Sequence, residues 1–139
     1  MTEITHDHPE GIKGAAATAI AIHFARAGRS AHAIQADISR LFGYDLSAAV
    51  DQIRPDYLYN ETCQDTVPKA LICALEAADF EDAIRNTISI GGDSDTLAAI
   101  AGGLAEARFG IPADMALAAR NFLPPEMQGV IEKLYDEVN

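Results

Sequence analysis

Apolar residues recur at steps of three and four along most of this 139-residue chain. That spacing is typical of helices that bury one face, whereas the alternation that would indicate strands never persists beyond three or four positions. Abundant alanine and an aromatic content of 6% indicate closely packed helices with small side chains. The sequence therefore predicts an all-α fold, a compact orthogonal multi-helix bundle that forms a single helical domain over residues 1–139.

Helix start and stop signals divide the chain into segments. Ser30 and Asp79 are placed to cap the helices that follow them, and Pro68 fits the first turn of the third helix, where its missing N–H is tolerated. The predicted helices cover residues 12–27, 31–42, 67–78, 80–90, 94–109, 114–121 and 125–138, with a short additional helix within 46–53.

The apolar stripes also predict which face of each helix is buried. In the first helix the inward residues are predicted to be Ile12, Ala16, Ala19, Ile20, His23, Phe24 and Ala27. In the last helix they are predicted to be Met127, Val130, Ile131, Leu134 and Val138. Gly102 and Gly103 lie inside the fifth helix, where glycine is unfavourable, so we expect a neighbouring helix or a ligand to approach closely there.

The charge balance excludes some classes of function. Ten basic residues against 21 acidic ones give a formal net charge of −11, and no cluster of lysine or arginine is visible, so nucleic acid is not an expected partner. The chain has no apolar run long enough for a membrane span and no secretory signal at its start, which predicts a cytoplasmic protein without membrane contact. Its two cysteines are expected to be reduced thiols.

One polar segment, Gly91 to Thr96, lies at a break between two strong helical patterns. It brings four oxygen donors into four residues, from Asp93 and Ser94 to Asp95 and Thr96. Oxygen ligands of this kind select magnesium, manganese or calcium over zinc or copper. The alternative is a purely structural role, in which Asp93 or Ser94 caps the next helix and Asp95 complements its dipole.

A second segment with possible chemistry leads into the first helix. His6 and His8 could hold a metal or bind a phosphate, and Gly11 and Gly14 would let a ligand approach the backbone at a helix N-terminus. The alternative is that both histidines near the chain end are simply solvated.

A third segment, Glu61 to Pro68, mixes polar residues at the end of the longest irregular stretch. It could also be an ordinary helix start capped by Asp65 or Thr66. No basic neighbour is evident to activate Cys63 as a nucleophile.

Three motifs together resemble one known family. THDHPEGIKGAAATA, then CQDTVPKAL followed by DFEDAI, then GGDSDTLAAIAGGLAEARFGIP, have the order and spacing found in the C-terminal half of ADP-ribosylglycohydrolases, which include the dinitrogenase reductase activating glycohydrolases. The resemblance extends over about residues 5–112. It implies a helical protein that binds two magnesium or manganese ions and hydrolyses the N- or O-glycosidic bond joining ADP-ribose to a protein side chain or small molecule.

The resemblance also implies roles for individual residues. Asp93, Asp95 and Thr96 would be ligands of Mg²⁺ or Mn²⁺, and His6 would lie beside the ADP-ribose. The remaining residues expected to line the substrate cleft are His8, Gly11, Gly14, Cys63, Gln64, Thr66 and Gly92.

The chain departs from the family pattern in ways that affect the expected activity. Family members are usually about twice this length and carry a Thr-Asp-Asp ligand run in an N-terminal half, which this sequence lacks. It also has Asp65 where the family commonly has glycine. We therefore expect an incomplete metal site, an isolated chain without turnover, and association into a homo-oligomer or with a complementary N-terminal half. A non-catalytic ADP-ribose-binding or regulatory module and a helical scaffold are the alternatives.

Overall fold

The computed structural model describes residues 4 and 7–138, with the side chains of the last helix described through residue 137. Its α-helices are α1 (Pro9–Arg26), α2 (Ala31–Phe42), α3 (Val50–Ile53), α4 (Cys63–Glu76), α5 (Phe80–Ile90), α6 (Ser94–Phe109), α7 (Ala113–Arg120) and α8 (Pro125–Val138). The described residues contain no strand, which confirms the predicted all-α class. None of these helices combines the length and the apolar character that crossing a membrane requires.

Local signals place most helix ends where the sequence predicts them. The Ser30 hydroxyl accepts a hydrogen bond from the N–H of Ala33 at 3.3 Å, and the Asp79 carboxylate accepts one from Asp82 at 2.8 Å. Gly43 closes α2 in the left-handed conformation, with φ of 68°. These caps are interactions within a few residues, which is why the chain order alone locates them.

Helix α4 lies at the centre of the fold and packs against each of the other helices from α1 to α6. Eight of its residues are buried, from Thr66 to Leu75. Helix α6 is the second central element, packing against α1, α4 and α5. The largest fully buried apolar side chains of the bundle are Val50, Ile34, Ile38, Leu71, Leu97 and Leu104.

The buried face of α1 differs from the predicted one. The structure buries Gly14, Ala17, Ala21 and Ala25, and it leaves Ala19, His23 and Ala27 exposed. The helix is apolar nearly all the way round, so the larger residues do not define its inward side. Its smallest residues face inward because only they let α4 and α6 approach closely.

Helix α4 begins earlier than predicted. Its first residue is Cys63, so Pro68 stands at the sixth position instead of in the first turn. The side chain of Asn60 accepts a hydrogen bond from the N–H of Thr62 at 2.8 Å, and the Thr66 hydroxyl donates to the Asn60 carbonyl at 3.1 Å. These bonds stabilise the extra turn, and the missing proline N–H removes only one bond of the helix.

The predicted inward face of α8 is wrong for three of its five residues, whereas Ile131 is half-buried and the side chain of Val138 lies outside the described residues. Met127, Val130 and Leu134 are 56%, 67% and 56% exposed. The contacts that hold α7 and α8 are polar: the hydroxyl of Tyr135 donates to Glu106 on α6, and Arg120 pairs with Glu132. The apolar period of α8 thus predicts a helix with one apolar face, but no other described helix covers that face.

Candidate functional site

The N-terminus of α6 brings together the three residues that the sequence singles out as metal ligands. Asp93 occupies the N-cap position, yet its carboxylate accepts no capping hydrogen bond. The side chains of Asp95 and Thr96 instead act on the pKa of this carboxylate, and the N–H of Thr96 donates to Asp95 at 3.1 Å. The side chain of Asp93 therefore does not cap α6, whereas Asp95 in the first turn is placed to complement the helix dipole, as the structural alternative expects.

The two aspartates shift each other's pKa in opposite directions. Their mutual hydrogen bond raises the pKa of Asp93 above its ordinary value and lowers the pKa of Asp95. Two carboxylates this close are difficult to ionise together, because the second negative charge is repelled by the first. A divalent cation would remove that repulsion, so the pair has the electrostatic character of a cation ligand set.

A second group of side chains faces these aspartates from the segment before α4. The Tyr59 hydroxyl donates to the Glu61 carboxylate at 2.5 Å, and this bond raises the pKa of Tyr59 to about 12, with further contributions from Asp93 and Asp95. The charge of Glu61 in turn helps raise the pKa of Asp93. The sequence analysis missed Tyr59, and it included Glu61 in the third polar segment without giving that residue a role of its own.

Gly92 has a structural reason to be glycine. Its φ is +68°, and a Cβ atom built on it would lie 2.5 Å from Cε1 of Tyr57. The Tyr57 ring packs over this glycine and also receives the Lys69 ammonium 4.8 Å from its centroid. Gly92 thus lets the loop before α6 contact Tyr57, which brings the aspartates to the segment before α4.

An apolar groove of about 470 Å³ lies between α1, α4 and α6. Three of the residues predicted to contact substrate, Gly11, Gly14 and Cys63, line it together. Gly14 is tightly packed, since a Cβ atom there would be 3.1 Å from Val67. The remaining lining residues are Ala15, Thr18, Ala19, Ile22, Val67 and Ile100.

The other described residues that were predicted to contact substrate do not line this groove. His8 caps α1, because its Nδ1 accepts the N–H of Glu10 at 3.2 Å. Gln64 is exposed on the first turn of α4, while Thr66 is buried and its hydroxyl is engaged by Asn60. His6 lies outside the described residues.

The oxygen donors at the start of α6 are the type of ligand that a hard divalent cation prefers, but there are fewer of them than such an ion takes. Asp93, Asp95 and Thr96 supply three oxygen-bearing side chains, whereas magnesium takes about six oxygen ligands. Across residues 4 and 7–138, no three histidine, cysteine, aspartate or glutamate side chains are grouped closely enough to hold a metal ion. The described residues therefore offer part of a coordination shell.

Comparison with known proteins identifies the family. The sequence profile of the ADP-ribosylglycohydrolase family matches residues 1–139, so the chain belongs to that family. Neither a curated protein nor a solved structure matches it significantly.

Proposed function

We propose that this chain takes part in the magnesium- or manganese-dependent hydrolysis of the glycosidic bond that joins ADP-ribose to a protein side chain or a small molecule. The observation that carries the proposal is the convergence of Asp93, Asp95 and Thr96 at the start of α6, where each carboxylate shifts the pKa of the other. Family membership supports the reaction class, and it makes ADP-ribosylated molecules the expected substrates.

In this proposal Asp93, Asp95 and Thr96 hold the cation, and Glu61 adds negative charge beside it. When bound, the cation polarises oxygen atoms of the substrate and lowers the pKa of a bound water. The Tyr59 hydroxyl orients Glu61 through the hydrogen bond between them, which keeps that carboxylate near the cation site.

The groove between α1, α4 and α6 is the proposed substrate cleft. Its volume of about 470 Å³ lies in the range of small-molecule sites, about 300–1,000 Å³. Gly11 belongs to the first turn of α1, and Cys63 is the first residue of α4, so two helix N-termini lie at one end of the groove. Their partial positive charge would attract a pyrophosphate despite the net charge of −11.

The shortage of ligands implies that turnover needs further donors. We expect the isolated chain to bind one divalent cation weakly and to have no turnover until another polypeptide, such as a complementary N-terminal half, supplies carboxylates. The same shortage favours the second candidate function, a regulatory module that binds ADP-ribose without hydrolysing it. A purely helical scaffold would leave the close approach of the Asp93 and Asp95 carboxylates without a role.

Titration calorimetry with Mn²⁺ tests the cation site. The parent chain should bind manganese, and the combined change Asp93→Ala and Asp95→Ala should abolish the binding. The matched control, Asp114→Ala with Asp136→Ala, removes the same charge from exposed positions on α7 and α8 and should leave binding unchanged. Equal manganese binding by all three proteins would exclude the aspartate pair as the site.

Thiol alkylation tests the groove, and the two cysteines give it an internal control. Cys73 is fully buried, and burial raises the pKa of its thiol to about 12, so it should remain unmodified in the folded protein near pH 8. Cys63 lines the groove and should react. Millimolar ADP-ribose should slow the alkylation of Cys63, and AMP should slow it less; no protection by ADP-ribose would place the ligand elsewhere.

Release of ADP-ribose from a modified arginine or serine distinguishes the two candidate functions. The assay is run with magnesium, with and without an added polypeptide that carries the family's Thr-Asp-Asp run. Activity only in the mixture supports an enzyme that is completed by a partner. Binding of ADP-ribose without release in either case supports the regulatory module, and robust turnover by the chain alone would show that the described donors suffice.

A further inference from the structure

Helix α8 carries an apolar stripe that no other described helix covers. Met127, Val130 and Leu134 follow one another at steps of three and four and therefore lie along one line of the helix. All three are more than half exposed. The residues that attach α8 to the rest of the chain, including Gln128 and Tyr135, lie on a different side, so the stripe cannot pack against α6 or α7 without breaking those bonds.

The exposed apolar area at this end of the molecule is large enough to support association. Leu117 on α7 and Phe122 in the turn before α8 are 64% and 89% exposed. The three stripe residues expose on the order of 300 Å², and all five side chains on the order of 600 Å², against the roughly 800 Å² that each partner contributes to a standard interface. An apolar patch of a few hundred Å² on a soluble protein is often an interaction site.

The charges beside the stripe indicate which partner fits it. Glu126 and Lys133 are seven residues apart, which is about two turns, so both border the stripe on the same side. Neither forms an ion pair within the part of the chain that the structure describes. If two copies of α8 pack antiparallel about the middle of the stripe, Glu126 of each copy lies opposite Lys133 of the other. A parallel arrangement would instead place Glu126 and Lys133 of one copy against the other border of the partner's stripe, so this ion pair could not form.

We propose that two copies of this chain associate through α8 in an antiparallel contact with a two-fold axis near Val130. The Met127, Val130 and Leu134 stripes pack against each other, and two symmetric Glu126–Lys133 ion pairs border them. The contact is isologous, so it closes at the dimer and leaves no surface for further growth.

The proposed interface is remote from the candidate metal site. Tyr135 attaches α8 to Glu106, which lies 13 residues beyond Asp93 along the same helix, or about 20 Å away. The dimer therefore leaves the aspartates and the groove accessible. It follows that Asp93→Ala with Asp95→Ala should not change the oligomeric mass, which keeps this proposal separable from the proposed function.

Light scattering at tens of micromolar protein tests the contact. The parent chain should have the mass of a dimer, and Val130→Glu with Leu134→Glu should have the mass of a monomer with an unchanged helical circular dichroism spectrum. Ile88→Glu, at an apolar position on α5 that is 57% exposed, is the control and should remain dimeric. A monomeric parent, or a stripe variant that stays dimeric, would overturn the proposal.

A charge exchange tests the antiparallel geometry. Glu126→Lys alone and Lys133→Glu alone each place like charges opposite one another, so each should raise the dimer dissociation constant several-fold. The combined variant restores opposite charges and should return the constant to within about twofold of the parent. If the combined variant is weaker than either single variant, the two residues do not face each other and the antiparallel contact is wrong.

Discussion

Helix α6 differs from the two helices that follow it in how firmly it is packed. It lies among α1, α4 and α5, and its side chains Leu97 and Leu104 are fully buried. Beyond its C-terminus α7 has no buried residue among those described, and α8 is attached mainly by polar contacts. The same three-and-four spacing of apolar residues occurs in both regions. Periodicity therefore predicts that a helix has an apolar face, but it does not predict that the chain itself covers that face.

The difference in packing between the two regions also bears on the candidate metal site and on association. In the region around α6, Gly92 packs against Tyr57 and thereby positions the aspartates, so the geometry of the site depends on this close contact. The α7–α8 region needs little packing within one chain and leaves an apolar surface free for association. If this interpretation is right, matched substitutions in the two regions should have very different effects on stability.

The largest difference is expected for leucine truncation. Leu104→Ala removes a fully buried side chain from α6 and should lower the free energy of unfolding by about 2–5 kcal/mol. Leu117→Ala makes the same change on α7, where the side chain is 64% exposed, and should cost less than about 0.5 kcal/mol. Urea denaturation at low protein concentration measures both. Similar losses would mean that α7 is packed as firmly as α6.

Glycine-to-alanine substitutions should give the next largest difference in stability between the two regions, because one should destabilise the fold and the other should stabilise it. Gly92→Ala combines a φ of +68° with a clash against Tyr57 and should destabilise the fold by about 1–3 kcal/mol. Gly129→Ala in α8 meets no neighbouring atom within 4 Å, so it should stabilise the helix by up to about 1 kcal/mol. Manganese binding by the folded Gly92 variant should also weaken, because the loop before Asp93 must shift. A Gly92 variant as stable as the parent would contradict the tight contact.

The smallest difference in stability between the two regions is expected when one arginine in each region is replaced by alanine. The guanidinium of Arg108 is half-buried and donates to the carbonyls of Leu75 at 3.1 Å and Ala77 at 3.4 Å, at the end of α4. Arg108→Ala should cost about 1–3 kcal/mol, because it leaves partly buried carbonyl groups without their donor. Arg120→Ala breaks an exposed pair with Glu132 and should cost less than about 1 kcal/mol. Thermal unfolding distinguishes the two, and equal shifts in Tm would remove this contrast between the regions.

Several features of the site could be predicted because they depend on neighbours in sequence. Asp93, Asp95 and Thr96 lie within four consecutive positions at a helix start, so their convergence follows from local geometry. The grouping of Gly11, Gly14 and Cys63 in one groove was predicted through the family resemblance. Their roles in binding metal and substrate remain predictions.

The sequence by itself determined the helical class and the helix caps, because residues such as Ser30, Gly43 and Asp79 act on backbone groups within a few positions of themselves. It determined the family as well, since the motifs are read along the chain. Only the tertiary structure decided which face of α1 is buried, because a helix that is apolar all round has no inward side until its neighbours approach. Likewise, only the tertiary structure brought Glu61 to the aspartates and left the α8 stripe uncovered. Both depend on contacts between segments distant in sequence, which local spacing does not encode.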